Sequence, residues 1–136
     1  MEAALRAALA LERLAAPLAR PLARAAHGGA DPLRLPERLG VPGLARPPGR
    51  LLWLHGASVG EVAAGRGLAA ALAAEAGAAL LVTTATAGGA GAAPAGALHQ
   101  FAPLDLPGAV RGFLDAWRPD LGVFVEGDLW PRLVLE

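Results

Sequence analysis

Four short apolar runs, separated by helix-forming stretches, set the tightest limit on what this chain can fold into. They read "LLWLH" (51–55), "AALLVTT" (78–84), "LHQFAPLD" (98–105) and "LGVFVE" (121–126). Three of the four are apolar almost throughout, with no in-out alternation, which is the pattern of a strand covered on both faces. Between them, "GEVAAGRGLAAALAAEAG" (60–77) reads as a helix stopped by Gly77, and "PGAVRGFLDAWRP" (107–119) as a helix opened by Pro107. A last helix is expected around "WPRLVLE". Strands alternating with helices require long crossovers, and right-handed crossovers give a parallel, Rossmann-like α/β sheet. The stretch "ATAGGAGAAPAGA" (85–97) has no period that decides between helix and loop. In an open sheet of this kind, ligands meet the carboxyl ends of the strands.

Length and composition fit one packed domain: 136 residues, 54% of them hydrophobic, can bury a core. Cysteine is absent and the three histidines lie far apart in sequence at 27, 55 and 99, so no metal centre is expected. Twelve basic residues, all arginine, balance twelve acidic ones, and no global field points to nucleic acid. No apolar run approaches the roughly 18 residues of a membrane-spanning helix, and the N-terminus lacks the order of a secretory signal.

The first 26 residues form a basic amphipathic segment. At about 100° per residue, Arg6, Arg13, Arg20 and Arg24 fall within about 40° of one another, and Leu11, Leu14, Leu18 and Leu22 lie opposite. Two readings follow: a helix lying in an anionic membrane surface with its leucines buried, or a helix packed on its own domain. Pro17 and Pro21 each delete a helical hydrogen bond, which predicts a kink or an early stop near residue 16. Residues 27–50, with five prolines and five glycines, read as an ordered but irregular connection. The packed domain is thus expected over 50–136, after a basic amphipathic segment and connection over 1–49.

Polar residues gather at the four strand ends: His55 to Glu61, Thr83 to Thr86, Pro103 to Asp105, and Glu126 to Asp128. Ser58 and Glu61 have the spacing of a capping box, in which each side chain bonds the backbone of the other's turn. The same position also suits a carboxylate placed for chemistry, and the local sequence allows both. Gly56 and Gly60 would let a ligand approach a helix N-terminus, where anions are favoured. The spacing is not that of a dinucleotide-binding loop, and the second strand ends in Thr83 and Thr84 instead of an acid, which disfavours a dehydrogenase. His55 is the kind of strand-end histidine that is usually satisfied within a core. Glu126 and Asp128 directly follow an apolar strand, and a buried carboxylate without a role is expensive.

Taken together, "LPERLG" (35–40), "WLHGASVGEV" (53–62), "LLVTTATAGGA" (80–90) and "APLDLPGAVRGFLDAWRPDLGVFVEGDLWPRLVLE" (102–136) resemble the N-terminal half of 3-deoxy-D-manno-octulosonic acid (Kdo) transferases. The resemblance implies a GT-B glycosyltransferase whose N-terminal domain meets a lipid A precursor and whose C-terminal domain binds CMP-Kdo. It implies Glu61 as general base toward the acceptor hydroxyl and Glu126 as a supporting carboxylate. Ser58, Gly60, Thr83, Thr84 and Asp128 would contribute to substrate binding, with no metal and no cofactor beyond the donor. It further implies the cytoplasmic face of the inner membrane of a Gram-negative bacterium, favours the surface-helix reading of residues 1–26, and makes the segment over 1–49 membrane-proximal. This sequence departs from the family pattern at Gly56, Gly127, Asp128 and Arg132, where the family has Ala, a small hydroxyl residue, Glu and Asn. The donor-binding domain lies outside these residues, so the 136-residue chain alone is expected not to transfer Kdo. The alternative is a non-catalytic module that binds membrane or lipid.

Overall fold

The computed structural model describes residues 2–125. In chain order the elements are helix α1 (Glu2–His27), a 3-10 helix (Pro32–Leu39), β1 (Leu51–His55), α2 (Val59–Ala76), β2 (Ala79–Thr84), the single turn α3 (Ala87–Ala90), β3 (Leu98–Phe101), α4 (Pro107–Trp117) and β4 (Leu121–Phe124). The four strands form one sheet in the order β3-β2-β1-β4. Every pair is parallel, with Trp53 opposite both Leu81 and Gly122, and Thr84 opposite Phe101. This is the α/β architecture expected from the strand-helix alternation.

The pleat divides β1 between two cores. Leu52 and Leu54 face α2, packing with Val62, Ala69, Ala73, Leu80 and Val82. Leu51 and Trp53 face α4, packing with Leu81, Val110, Phe113 and Trp117. All five β1 residues are buried, which is why the run carries no polar alternation. The helix on the first face is alanine-rich and therefore lies close to the sheet: a Cβ at Gly65 would stand 3.1 Å from a Leu54 methyl. Helix α2 ends, as expected, at Gly77 in the left-handed region (φ 61°), whose N–H bonds carbonyls of the last turn.

Two sequence expectations are revised. Helix α1 does not stop near residue 16 but continues through Pro17 and Pro21 to His27. Both prolines are exposed, so water can take up the carbonyls that their missing N–H groups would have bonded. The connection over 27–50 is also more than a linker. Its 3-10 helix packs against α1, α4 and β3, burying Glu37 and Arg38, and so belongs to the packed unit. Gly40 ends it at φ 80°, and a side chain there would collide with the Ala109 carbonyl of α4.

Helix α1 meets the rest of the molecule through Ala23 and His27, which are buried. Three of its leucines face away from the domain: Leu14, Leu18 and Leu22 are 72%, 57% and 48% exposed. Arg20 and Arg24 are exposed as well. Among the described residues no helix is long and apolar enough to cross a membrane.

Candidate functional site

The polar strand ends come together at the carboxyl edge of the sheet. Ser58 is the N-cap of α2 and its hydroxyl accepts from the Glu61 amide at 3.4 Å. Glu61 Oε2 in turn accepts from the Ala57 amide at 2.5 Å, one residue before the cap. Only the Ser58 half of the capping box is made as such; Glu61 reaches one residue further back, to the Ala57 amide, and is half-buried at the mouth of the sheet. Its other oxygen, Oε1, has no protein hydrogen-bond partner among the described residues. Gly60 is exposed with open space above it, whereas Gly56 is buried against α2: a Cβ there would lie 2.9 Å from the Val62 nitrogen.

The β1 and β2 ends are locked to one another. The ladder extends past β1 through Gly56 N–H to the Thr83 carbonyl, and the amides of Ala85 and Thr86 both donate to the Ala57 carbonyl. Ala57 is thus held at its carbonyl by the β2 end and at its amide by Glu61. Val125 N–H donates to the His55 carbonyl, extending the β4 side in the same way.

Thr83 and Thr84 are both fully buried and point to opposite faces of the sheet. The Thr83 hydroxyl accepts from Trp53 Nε1 at 2.8 Å and is 2.9 Å from His55 Nδ1. His55 is itself buried. The Thr84 hydroxyl donates to the Thr86 carbonyl and is 2.9 Å from His99 Nε2. Neither threonine presents its hydroxyl at the surface; each braces a strand end from within. Glu126 and Asp128 lie outside the described residues.

A second group of side chains, not singled out from the sequence as site residues, is packed beside the β2 and β3 ends. Arg34 grips Glu37 through two parallel bonds of 2.8 Å, and Glu37 Oε2 also accepts from the Phe101 amide at 2.7 Å. Arg34 Nη2 donates to His99 Nδ1 at 2.9 Å, which fixes Nδ1 as the acceptor and leaves the proton on Nε2 facing Thr84. Burial lowers the His99 pKa to about 4, with the neighbouring charges of Arg34 and then Arg38 adding to the effect. His99 is therefore a neutral imidazole at pH 7. Arg38 is 2% exposed and donates to the carbonyls of Ala26, Ala85 and Ala102. Its pKa is lowered by burial and by Arg34, and raised by Glu37. Both guanidinium groups lie 4.6 Å from the Phe101 ring centre. The available signal was the adjacent acid and base in "LPERLG", a segment otherwise made of Leu, Pro and Gly.

A doubly covered parallel sheet with a capped carboxylate at its carboxyl edge fits the N-terminal domain of a GT-B glycosyltransferase. Residues 33–136 match the family described as 3-deoxy-D-manno-octulosonic-acid transferase (kdotransferase). The chain belongs to that family. It is 40% identical over 107 residues to a probable mitochondrial 3-deoxy-D-manno-octulosonic acid transferase of Arabidopsis thaliana, covering 75% of this chain and 24% of the relative. It is 38% identical over 119 residues to the 3-deoxy-D-manno-octulosonic acid transferase of Bordetella pertussis, covering 79% of this chain and 27% of the relative. The Rickettsia typhi enzyme of the same name is 40% identical over 91 residues, 63% of this chain and 20% of the relative. The chain thus spans about a quarter of the length of the curated relatives it matches. No solved structure matches it.

Proposed function

We propose that this chain is the acceptor-side portion of a glycosyltransferase that moves Kdo from CMP-Kdo to a lipid A precursor, lipid IVA, in lipopolysaccharide core assembly. Glu61 acts as general base: its carboxylate takes the proton of the acceptor hydroxyl as that oxygen attacks the anomeric carbon of Kdo and CMP leaves. The observation that carries this reading is the state of the Glu61 carboxylate. One oxygen is fixed by the Ala57 amide, and the other has no partner among the described residues at the open edge of the sheet. A base needs that combination of fixed orientation and a free lone pair within hydrogen-bond reach of its proton donor.

Ser58 orients Glu61 through the cap, and Gly60 leaves room for the acceptor to approach the start of α2. Thr83 and Thr84 support the site from inside the sheet. Glu126 is assigned as a second carboxylate and Asp128 as an acceptor-binding group on the family motif alone. Transfer requires a donor-binding domain in addition to these residues.

The same reading gives α1 a task at the cytoplasmic face of the inner membrane. Its exposed Leu14, Leu18 and Leu22 form a stripe at four-residue spacing, with the exposed Arg20 and Arg24 on the opposite side. A leucine face backed by a basic face suits the boundary of an anionic bilayer. This exposed stripe also favours the second reading, a lipid-binding module without catalysis. Assaying transfer with Glu61→Gln in a chain that also contains the donor domain separates the two: loss of transfer supports the base, and near-normal transfer removes it.

A further inference from the structure

Arg38 is buried at the back of the carboxyl edge and makes no hydrogen bond to Glu61, yet hydrogen bonds that meet at the Ala57 backbone connect the two residues. Arg38 Nη2 donates to the Ala85 carbonyl. That carbonyl belongs to the peptide unit whose N–H, on Thr86, donates to the Ala57 carbonyl at 3.2 Å. Ala57 then donates its own N–H to Glu61 Oε2. The Ala57 carbonyl and the Ala57 N–H belong to different peptide units on either side of its α carbon, so the connection is mechanical: fixing the 85–86 peptide fixes the Ala57 backbone that holds the carboxylate. We propose that Arg38 is the positioning residue for Glu61: its guanidinium fixes the 85–86 peptide, and through it the Ala57 loop that holds the carboxylate. The functional weight of this inference rests on the reading of Glu61 as base, whereas the physical connection does not.

The other bonds of Arg38 point the same way. They tie the Ala85 and Ala102 carbonyls, beyond β2 and β3, to the Ala26 carbonyl in the last turn of α1. One rigid planar donor with several N–H groups thereby sets the β2 end against two neighbours at once, and a lysine ammonium on a flexible stem cannot reproduce that geometry. The site loop is consequently coupled to the seating of α1, the helix proposed to meet the membrane.

The test is residue-resolved amide exchange in the full chain, comparing the wild type with Arg38→Lys. The expected result is roughly tenfold faster exchange at Ala57 and Thr86, with Val82 and Ala69 in the core unchanged. Unchanged exchange at Ala57 would overturn the inference, and so would equal acceleration at Val82, because Arg38 would then only hold the fold together. If the variant does not fold, the wild type decides. A through-hydrogen-bond scalar coupling between the Thr86 nitrogen and the Ala57 carbonyl carbon is expected, and its absence would overturn the connection. Transfer by Glu61→Gln tests the base separately: full activity there would remove the catalytic role and leave the exchange result standing.

Discussion

Glu61 and Ala57 are joined by a side-chain-to-backbone hydrogen bond that turns the carboxylate back over the start of its own helix. The capping task and the proposed chemical task therefore do not compete, because they use different oxygens. Ser58 completes the arrangement from the other side by accepting from the Glu61 amide. Replacing Ser58 with Ala removes this cap acceptor and should lower stability by about 1 kcal/mol, read from urea unfolding. Glu61→Gln keeps an acceptor for Ala57 and should leave the urea midpoint nearly unchanged.

The Thr83 hydroxyl accepts from the buried Trp53 indole and hydrogen-bonds His55, both on neighbouring β1. Thr83→Val preserves the shape and deletes the acceptor, leaving the Trp53 indole N–H buried without its partner. Unfolding should show a loss of about 1–3 kcal/mol. Unaltered stability would mean that water or another group replaces the hydroxyl.

His99 makes the fold sensitive to acid. Its folded pKa of about 4 lies below the ordinary value of 6.5, so the unfolded chain binds the extra proton between these values. Stability from this residue is complete above about pH 6.5 and is lost as pH falls toward 4. Thermal midpoints measured across that window should fall more steeply for the wild type than for His99→Asn, whose side chain does not titrate. Parallel curves would assign the acid sensitivity elsewhere.

Gly40 closes the 3-10 helix at φ 80°, where its α carbon is pressed against α4. Gly40→Ala brings a methyl onto the Ala109 carbonyl and adds left-handed strain. The expected loss is about 2 kcal/mol or more, from the overpacking and the backbone together. A neutral result would show that the 3-10 helix can move off α4 without consequence.

The leucine stripe of α1 gives a membrane prediction. Replacing Leu14, Leu18 and Leu22 together with Ser should abolish co-sedimentation with anionic liposomes while leaving the buried Ala23 and His27 contacts in place. Binding that persists would remove the surface-helix reading.

The strands and the two long helices were legible because burial on both faces forces unbroken apolar runs, and because Gly77 and Pro107 are punctuation with a backbone reason. The Ser58–Glu61 cap was legible for a similar cause: both partners lie within one helical turn. Arg38 and His99 were not, since their partners stand far away in sequence, Arg38 with Ala85 and His99 with Arg34. Spacing rules do not reach across 47 or 65 residues. Of the kink or early stop expected near residue 16, the stop does not occur, because both prolines are exposed and water can bond the carbonyls they leave free. Glu126 and Asp128 lie outside the described residues, so their place in the site rests on the motif.

The most direct measurement of the central claim is steady-state Kdo transfer by a transferase that contains this domain and its donor-binding partner domain, with Glu61 against Glu61→Gln. If Glu61 is the base, kcat falls by about 100- to 10,000-fold with little change in KM, while the urea midpoint stays put. A variant that transfers Kdo at a near-normal rate would contradict the account and leave Glu61 as a helix cap alone.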